Sequence, residues 1–207
     1  MLHDALSFTP REVALLTDQE FFQTKVAISA KIRELLTQWQ QAFHEELAGK
    51  TLLAPEALTL ESSQFVKGEH LENFPYQYVD FPRFYTREEK FAFRSLFWWG
   101  HHVAFALILE GGQIQQYKKH LIDRFTQIAD QGLCLCLGSS LWEWRYGSGY
   151  TMELTRDRKS ETAAVLAHRR FFKLATFVPM NNPALSEGHL VDAGRQAFCA
   201  ILPVITI

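Results

Sequence analysis

Two adjacent histidines, His101 and His102, follow the aromatic run Phe97-Trp98-Trp99. Neutral imidazole is the commonest metal ligand, and a histidine near neutral pH is the usual general base. Successive residues on a strand point to opposite faces, so the pair can serve one centre only if Gly100 bends the chain between them. The sequence has no H-x-H, no H-E-x-x-H and no clustered Cys and His, so no metal site is expected. The bland alternative for the pair is one buried, hydrogen-bonded imidazole and one exposed.

Two other groups could recognise a ligand. In Trp142-Glu143-Trp144-Arg145-Tyr146, strand geometry would put Trp142, Trp144 and Tyr146 on one side and Glu143 and Arg145 on the other. Such rings would join the core or line a flat slot with Arg145 at its rim, and Trp99 would add a further ring. Downstream, Arg156, Arg158, Lys159, Arg169, Arg170 and Lys173 outnumber the three acids of residues 151–180. Guanidinium forks match carboxylate and phosphate, which makes Arg169 and Arg170 candidate anion holders, although adjacent residues cannot face one way. The acids Asp80, Glu110, Glu143 and Glu153 fall near expected strand ends, where two converging carboxylates would split their pKa values. Gly147-Ser148-Gly149 is not a nucleophile elbow, and no glycine-rich phosphate loop occurs, so the sequence names no cofactor.

The elements that must position these groups follow from periodicity. Thr17-Asp18-Gln19-Glu20 fits a capping box with Thr17 as N-cap. Ile28, Ile32, Leu35, Trp39, Phe43 and Leu47 then recur on one helical face, which predicts a long amphipathic helix over 18–48. Residues 50–74 read as an irregular loop, and residues 75–207 as a core of sheet and helices. Strands are predicted at Tyr76–Phe81, from about Phe91 to Trp99, at Val103–Leu109, Leu133–Leu137, Leu141–Tyr146, Tyr150–Thr155 and Leu174–Val178. Val103–Leu109 is apolar at every position and should be a central strand covered on both faces. Thr86-Arg87-Glu88-Glu89 is a second capping-box match and predicts at most one helical turn. Further helices are expected over Ile114–Ile128, over Glu161–Phe172 with Ser160 as cap, and over Glu187–Leu202 with Ser186 as cap and Pro203 as stop. The whole reads as one α+β domain, 1–207. Its sheet is mainly antiparallel, with about six to seven strands and room for one parallel pair; a long N-terminal helix and three further helices pack on it.

Composition bounds the partners. The 207 residues carry a net charge of −2, which gives no pull towards nucleic acid or an anionic membrane, and neither is expected as a partner. The longest apolar run falls far short of the ~20 residues of a membrane helix. Met1-Leu2-His3-Asp4 lacks a signal-peptide pattern, and three cysteines make no disulfide framework, so a reducing cytoplasm is expected. The 17 Phe, 6 Tyr and 5 Trp predict a large, stiff core. The apolar end Val204-Ile205-Thr206-Ile207 is expected to dock into that core or against a second copy of the chain. Two functions are consistent with these signals. The first is a non-enzymatic ligand-binding or protein-interaction domain that forms a homodimer. The alternative is an enzyme on a small anionic substrate, with His101 or His102 as general base and Arg145 or Arg169 holding the anion.

Overall fold

The structure, a computed structural model, describes residues 6–207; the expectation for Met1–Asp4 lies outside the described residues. The chain divides into two compact units, with the boundary between Glu34 and Leu35 inside a helix. The first unit holds α1 (Pro10–Thr17) and the first part of α2 (Gln19–Leu47). Thr9-Pro10-Arg11-Glu12 caps α1: the Thr9 hydroxyl accepts from Glu12 N, Glu12 Oε2 accepts from Thr9 N at 2.7 Å, and Pro10 opens the helix. The Thr17 box was therefore misplaced. Thr17 ends α1 and donates to Val13 O, and Asp18 caps α2 by accepting from Phe21 N at 2.8 Å. The apolar face of α2 starts later than expected, because Ile28 is 36% exposed.

The second unit is built on a seven-stranded sheet, β1 (Gln64–Leu71), β2 (Phe74–Tyr85), β3 (Lys90–Trp98), β4 (His102–Glu110), β5 (Cys134–Cys136), β6 (Thr151–Glu153) and β7 (Phe171–Pro179), in the order β1-β2-β3-β4-β7-β5-β6. Every ladder among the described residues is antiparallel, so the parallel pair is not used. As the uniform hydrophobicity of Val103–Leu109 requires, β4 lies at the centre and each of these residues is buried.

Alternation on the strands sorts the faces. On the first face, Phe93 and Phe105 meet the C-terminal half of α2 and α7 (Leu190–Ile205). Trp39 packs edge-on to Phe105 at 4.8 Å, and Phe43 packs on Phe93 at 5.0 Å and on Phe198 at 4.5 Å. The short helices α3 (Ile114–Asp123) and α4 (Phe125–Ile128) pack against α7. Between α4 and β7, a 3-10 turn at Arg156–Arg158 leads into α5 (Lys159–Ala167), and α6 (Pro183–Glu187) precedes α7. On the second face, among the described residues, the core cluster takes no residue from a helix and is closed by the irregular segment 137–150, whose Leu141 and Trp144 pack with Ala104, Ala106 and Ala175.

Several expectations fail locally. β1 lies inside the supposed loop 50–74; it joins β2 through Glu72 and Asn73, both at positive φ (49° and 69°), a turn without the glycine that would have signalled it. β2 runs through Pro82 because the ladder shifts register between Asp80 and Arg83, where no donor is needed from the proline. Thr86 starts no helix: its hydroxyl accepts from Glu88 N and Glu89 N in the β2–β3 turn. Residues 141–146 form no strand. The helix expected over Ile114–Ile128 breaks at Arg124, and seven α-helices stand among the described residues where four were expected. α5 starts before Ser160 and ends at Ala167, so Phe171 and Phe172 belong to β7. Asn182 caps α6, and α7 continues through Pro203. The apolar C-terminus docks as one expectation had it: Val204 and Ile205 are buried, and Ile207 N donates to Thr51 O at 3.0 Å. No helix among the described residues is long and apolar enough to cross a membrane.

Gly194 of α7 marks the closest approach of helix and core, since a Cβ there would lie 2.6 Å from Trp39 Cδ1 and 2.8 Å from Phe105 Cε1. Alanine gains about 1 kcal/mol over glycine in a free helix. Gly194→Ala is nonetheless expected to destabilise the protein by roughly 1–3 kcal/mol, because both rings are locked in the core; urea unfolding measures this, and an unchanged midpoint would contradict the packing.

Candidate functional site

The second face carries charges that an apolar sheet would exclude unless each had partners. Arg94 of β3 and Asp80 of β2 are direct cross-strand neighbours and form a two-pronged pair, Nε–Oδ1 and Nη2–Oδ2 both at 2.7 Å. Tyr85 donates to Asp80 Oδ2 at 3.0 Å, and the guanidinium lies 3.7 Å from the centre of the Tyr78 ring. Burial disfavours the charged Arg94, but the hydrogen bonds and charge of Asp80 outweigh it, so its pKa is raised. Burial and the Asp80 charge likewise hold the Tyr85 phenol protonated.

Lys173 of β7 is 2% exposed. Its ammonium donates to Leu141 O at 2.9 Å and to Glu143 O, and it lies 3.9 Å from the centre of the Trp144 ring. Burial pulls its pKa down to about 8. Arg169 reaches the start of the same segment, with Nη1 donating to Cys136 O at 2.9 Å and Nη2 to Leu137 O. These cations satisfy the backbone of 137–143 where a neighbouring strand would have done so, which explains why the alternating run 141–146 is not a strand.

Held in this way, the segment walls a cleft of ≈ 340 Å³ lined by Trp98, Gly100, His101, His102, Arg145, Tyr146 and Tyr150. Gly100 adopts φ 72° in the β3–β4 turn, and this bend brings both histidines to one cleft. His101 stacks on Trp98 with centroids 3.8 Å apart, and Phe74 meets it edge-on at 4.6 Å. His102 stands edge-on to Trp98, Tyr146 and Phe177 at 5.4, 5.1 and 5.1 Å. Nε2 of each histidine is buried and has no hydrogen-bond partner among the described residues. Burial, then repulsion from His101, pulls the His102 pKa down to about 4 against a hydrogen bond with the Trp144 backbone.

Arg145 stands at the mouth, half exposed. It pairs with Glu143 through Nε–Oε1 at 2.9 Å and Nη2–Oε2 at 2.5 Å, lies 3.6 Å from Glu72, and covers the Tyr150 ring at 4.6 Å. Its hydrogen bonds hold the Glu143 carboxyl down at about 2. With two carboxylates around one guanidinium, the rim carries no net positive charge.

Of the sequence candidates, His101, His102 and Arg145 come together with Tyr146. Trp142 is 46% exposed beside Tyr85, whereas Trp144 is core, so the expected row of same-face rings does not exist. Trp99 does not line the cleft, and its Nε1 is buried without a partner. Arg169 and Arg170 line a different pocket of ≈ 360 Å³ with Glu88 and Glu110, and the Arg169 fork is spent on backbone carbonyls. The expected acids do not converge: Asp80 pairs with Arg94, Glu110 with Lys90 at 2.9 Å, and Glu143 with Arg145. A wider hollow of ≈ 660 Å³ between α7 and Gly49–Thr51 has its cations occupied, Lys50 by Glu46 O and Arg124 by Pro203 O and Thr206 O. Among the described residues no group of three or more His, Cys, Asp or Glu could hold a metal.

Sequence reasoning missed Glu72 and Tyr150, and counted Lys173 only as one of a basic cluster and not as the buried cation it is. Lys173 had a signal, a cation in the apolar run Phe171–Val178 in phase with Ala175 and Phe177. Glu72 had none. No protein-family model matches this chain, and neither does any curated protein or solved structure.

An unfolded histidine titrates near 6.5, whereas His102 titrates at about 4 in the fold. Between those values the unfolded chain binds a proton that the folded one refuses. The His102 contribution to stability is therefore complete above pH 6.5 and is lost progressively as the pH falls towards 4, by roughly 3 kcal/mol. Histidine NMR titration is expected to leave the His102 ring neutral at pH 5; a midpoint near 6.5 would contradict its burial.

Proposed function

We propose that this chain binds a small, uncharged, hydroxyl-bearing molecule in the His101–His102 cleft. The observation that carries the reading is the pair of buried, unpartnered Nε2 atoms beneath one aromatic-walled cleft. A buried polar atom without a partner costs about 1–3 kcal/mol, which a ligand group recovers. With the other ring nitrogen of His102 hydrogen-bonded to the Trp144 backbone and the ring neutral, Nε2 carries a lone pair and calls for a hydroxyl or amine donor. Tyr146, 43% exposed and edge-on to His102, serves as the cover that turns outward to admit the donor. Trp98, Tyr146 and Tyr150 supply ring surface for the ligand body.

The ligand's charge is argued from the rim. A free guanidinium would favour an anion, but Arg145 is already shared by Glu143 and Glu72. This weighs against the anionic ligand expected from the sequence and for a neutral one. The enzyme reading retains one favourable observation, the convergence of two imidazoles and a guanidinium. However, an imidazole with a pKa of about 4 is a weak base at neutral pH, so the binding reading is preferred.

Thermal-shift screening tests the proposal. A panel of cyclic polyols and their carboxylate analogues should raise Tm only with the uncharged members, by mass action on the folded state. His102→Phe, which keeps ring volume and removes the lone pair, should abolish the shift while leaving the unliganded Tm within a few degrees. A shift confined to the carboxylates, or one that survives His102→Phe, would refute the assignment.

A further inference from the structure

Strand β2 carries one cation that the fold leaves without a counter-charge. Its ladder with β3 slips after Asp80: the steps from Asp80 to Arg83 face those from Arg94 to Ala92, so β2 holds one extra residue. Arg94 therefore stands opposite a carboxylate, whereas Arg83 stands opposite the methyl of the buried Ala92. Arg83 joins no ion pair among the described residues, and its Nε is buried without a hydrogen-bond partner among them. Its Cζ lies 5.3 Å from the centre of the Tyr85 ring, which a bond to Asp80 at 3.0 Å holds in place. A buried donor left unpaired costs about 1–3 kcal/mol, and more on a charged group.

The pairing of β1 with β2 begins at Gln64, opposite Asp80, so β1 does not reach the outer edge of β2 at Arg83. The segment before β1 lies there instead, turned by bonds from Leu58 N to Pro55 O at 2.9 Å and from Ser62 N to Thr59 O at 3.4 Å. It encloses with β2 a pocket of ≈ 200 Å³ lined by Ala57, Thr59, Ser62, Arg83, Phe84 and Tyr85. Sites for drug-sized molecules run to roughly 300–1,000 Å³, so this one takes a single chemical group. Thr59 and Ser62 bring two hydroxyl donors to it. No carboxylate competes: Asp80 is held by Arg94 and Tyr85, and Glu56 and Glu61 of the segment are exposed and do not line the pocket. The number of donors identifies the ligand. A guanidinium fork takes two oxygens of one anion, which exhausts a carboxylate. A tetrahedral oxyanion has further oxygens for the two hydroxyls.

We infer that this pocket binds a phosphate group, free or as a monoester, with Arg83 gripping two of its oxygens and Thr59 and Ser62 donating to the others. The pocket is separate from the His101–His102 cleft and does not rest on the reading of that cleft. Calorimetric titration of the full chain at low ionic strength tests it, with inorganic phosphate, phenyl phosphate and acetate as probes. Both phosphates are expected to saturate one site, and acetate to bind at least about tenfold more weakly. Equal affinities would point to the free anion; tighter phenyl phosphate would point to a monoester whose ring rests on Phe84. Arg83→Gln should weaken phosphate about ten- to a hundredfold, the worth of charged hydrogen bonds, with unchanged near-ultraviolet circular dichroism. Thr59→Val, an exposed position that reads the site independently, should weaken it about fivefold. Arg170→Gln, at an exposed cation of another pocket, should change nothing. No saturation with either phosphate up to tens of millimolar, acetate binding as tightly, affinity that survives Arg83→Gln, or an equal loss in Arg170→Gln would each overturn the inference.

Discussion

The second face of the sheet depends on one buried ammonium. Lys173 projects from the middle of an apolar strand into the groove above Ala106 and Ala175, and it can remain charged there only because Leu141 O, Glu143 O and the Trp144 ring surround it. The dependence is mutual. Segment 137–150 has no ladder to satisfy its carbonyls and would otherwise leave them buried and unpaired. A buried charge stripped of its partners costs several kcal/mol, so neither the strand nor the segment adopts this arrangement without the other. Arg169 repeats the device at the segment's entrance. The wall of the cleft, with Arg145, Tyr146 and Tyr150, follows from where these two cations take hold.

The same economy governs the other charges on this face. Arg94 and Asp80 neutralise each other across adjacent strands beneath aromatic rings, and Glu143 and Glu72 share Arg145 at the surface. The result is a region rich in ionisable groups but nearly neutral, beside the His102 imidazole, whose pKa is lowered by burial and then by His101. The cationic side chains that stood out in the sequence, Arg145, Arg169 and Lys173, already have carboxylate or carbonyl partners within the fold.

Legibility in the sequence followed physical strength. The central position of β4 was readable because seven consecutive apolar residues leave a strand no solvent face. The C-terminal half of α2 was readable because Trp39, Phe43 and Leu47 recur at helical spacing. The sequence allows His101 or His102 to stand with Arg145 or Arg169; the left-handed backbone at Gly100 brings both histidines to one cleft with Arg145. Turn chemistry failed where one motif serves two purposes. Thr86 and Thr17 match a capping box, yet one closes a hairpin turn and the other ends a helix, and the motif cannot distinguish these outcomes. The strand expected over 141–146 failed because its backbone partners are side chains thirty residues away, which periodicity does not register.

The most direct measurement is hydrogen exchange on Lys173→Met, which keeps the length of the side chain and removes its three donors. If the ammonium pins the segment, the amides of Leu137, Glu143 and Tyr150 will exchange roughly ten- to a hundredfold faster, at 1.5–3 kcal/mol for a charged hydrogen bond. Those of Leu107 and Leu174 in the central strands will keep their protection. Unchanged exchange across 137–150, or a uniform loss of protection throughout the sheet, would contradict the account.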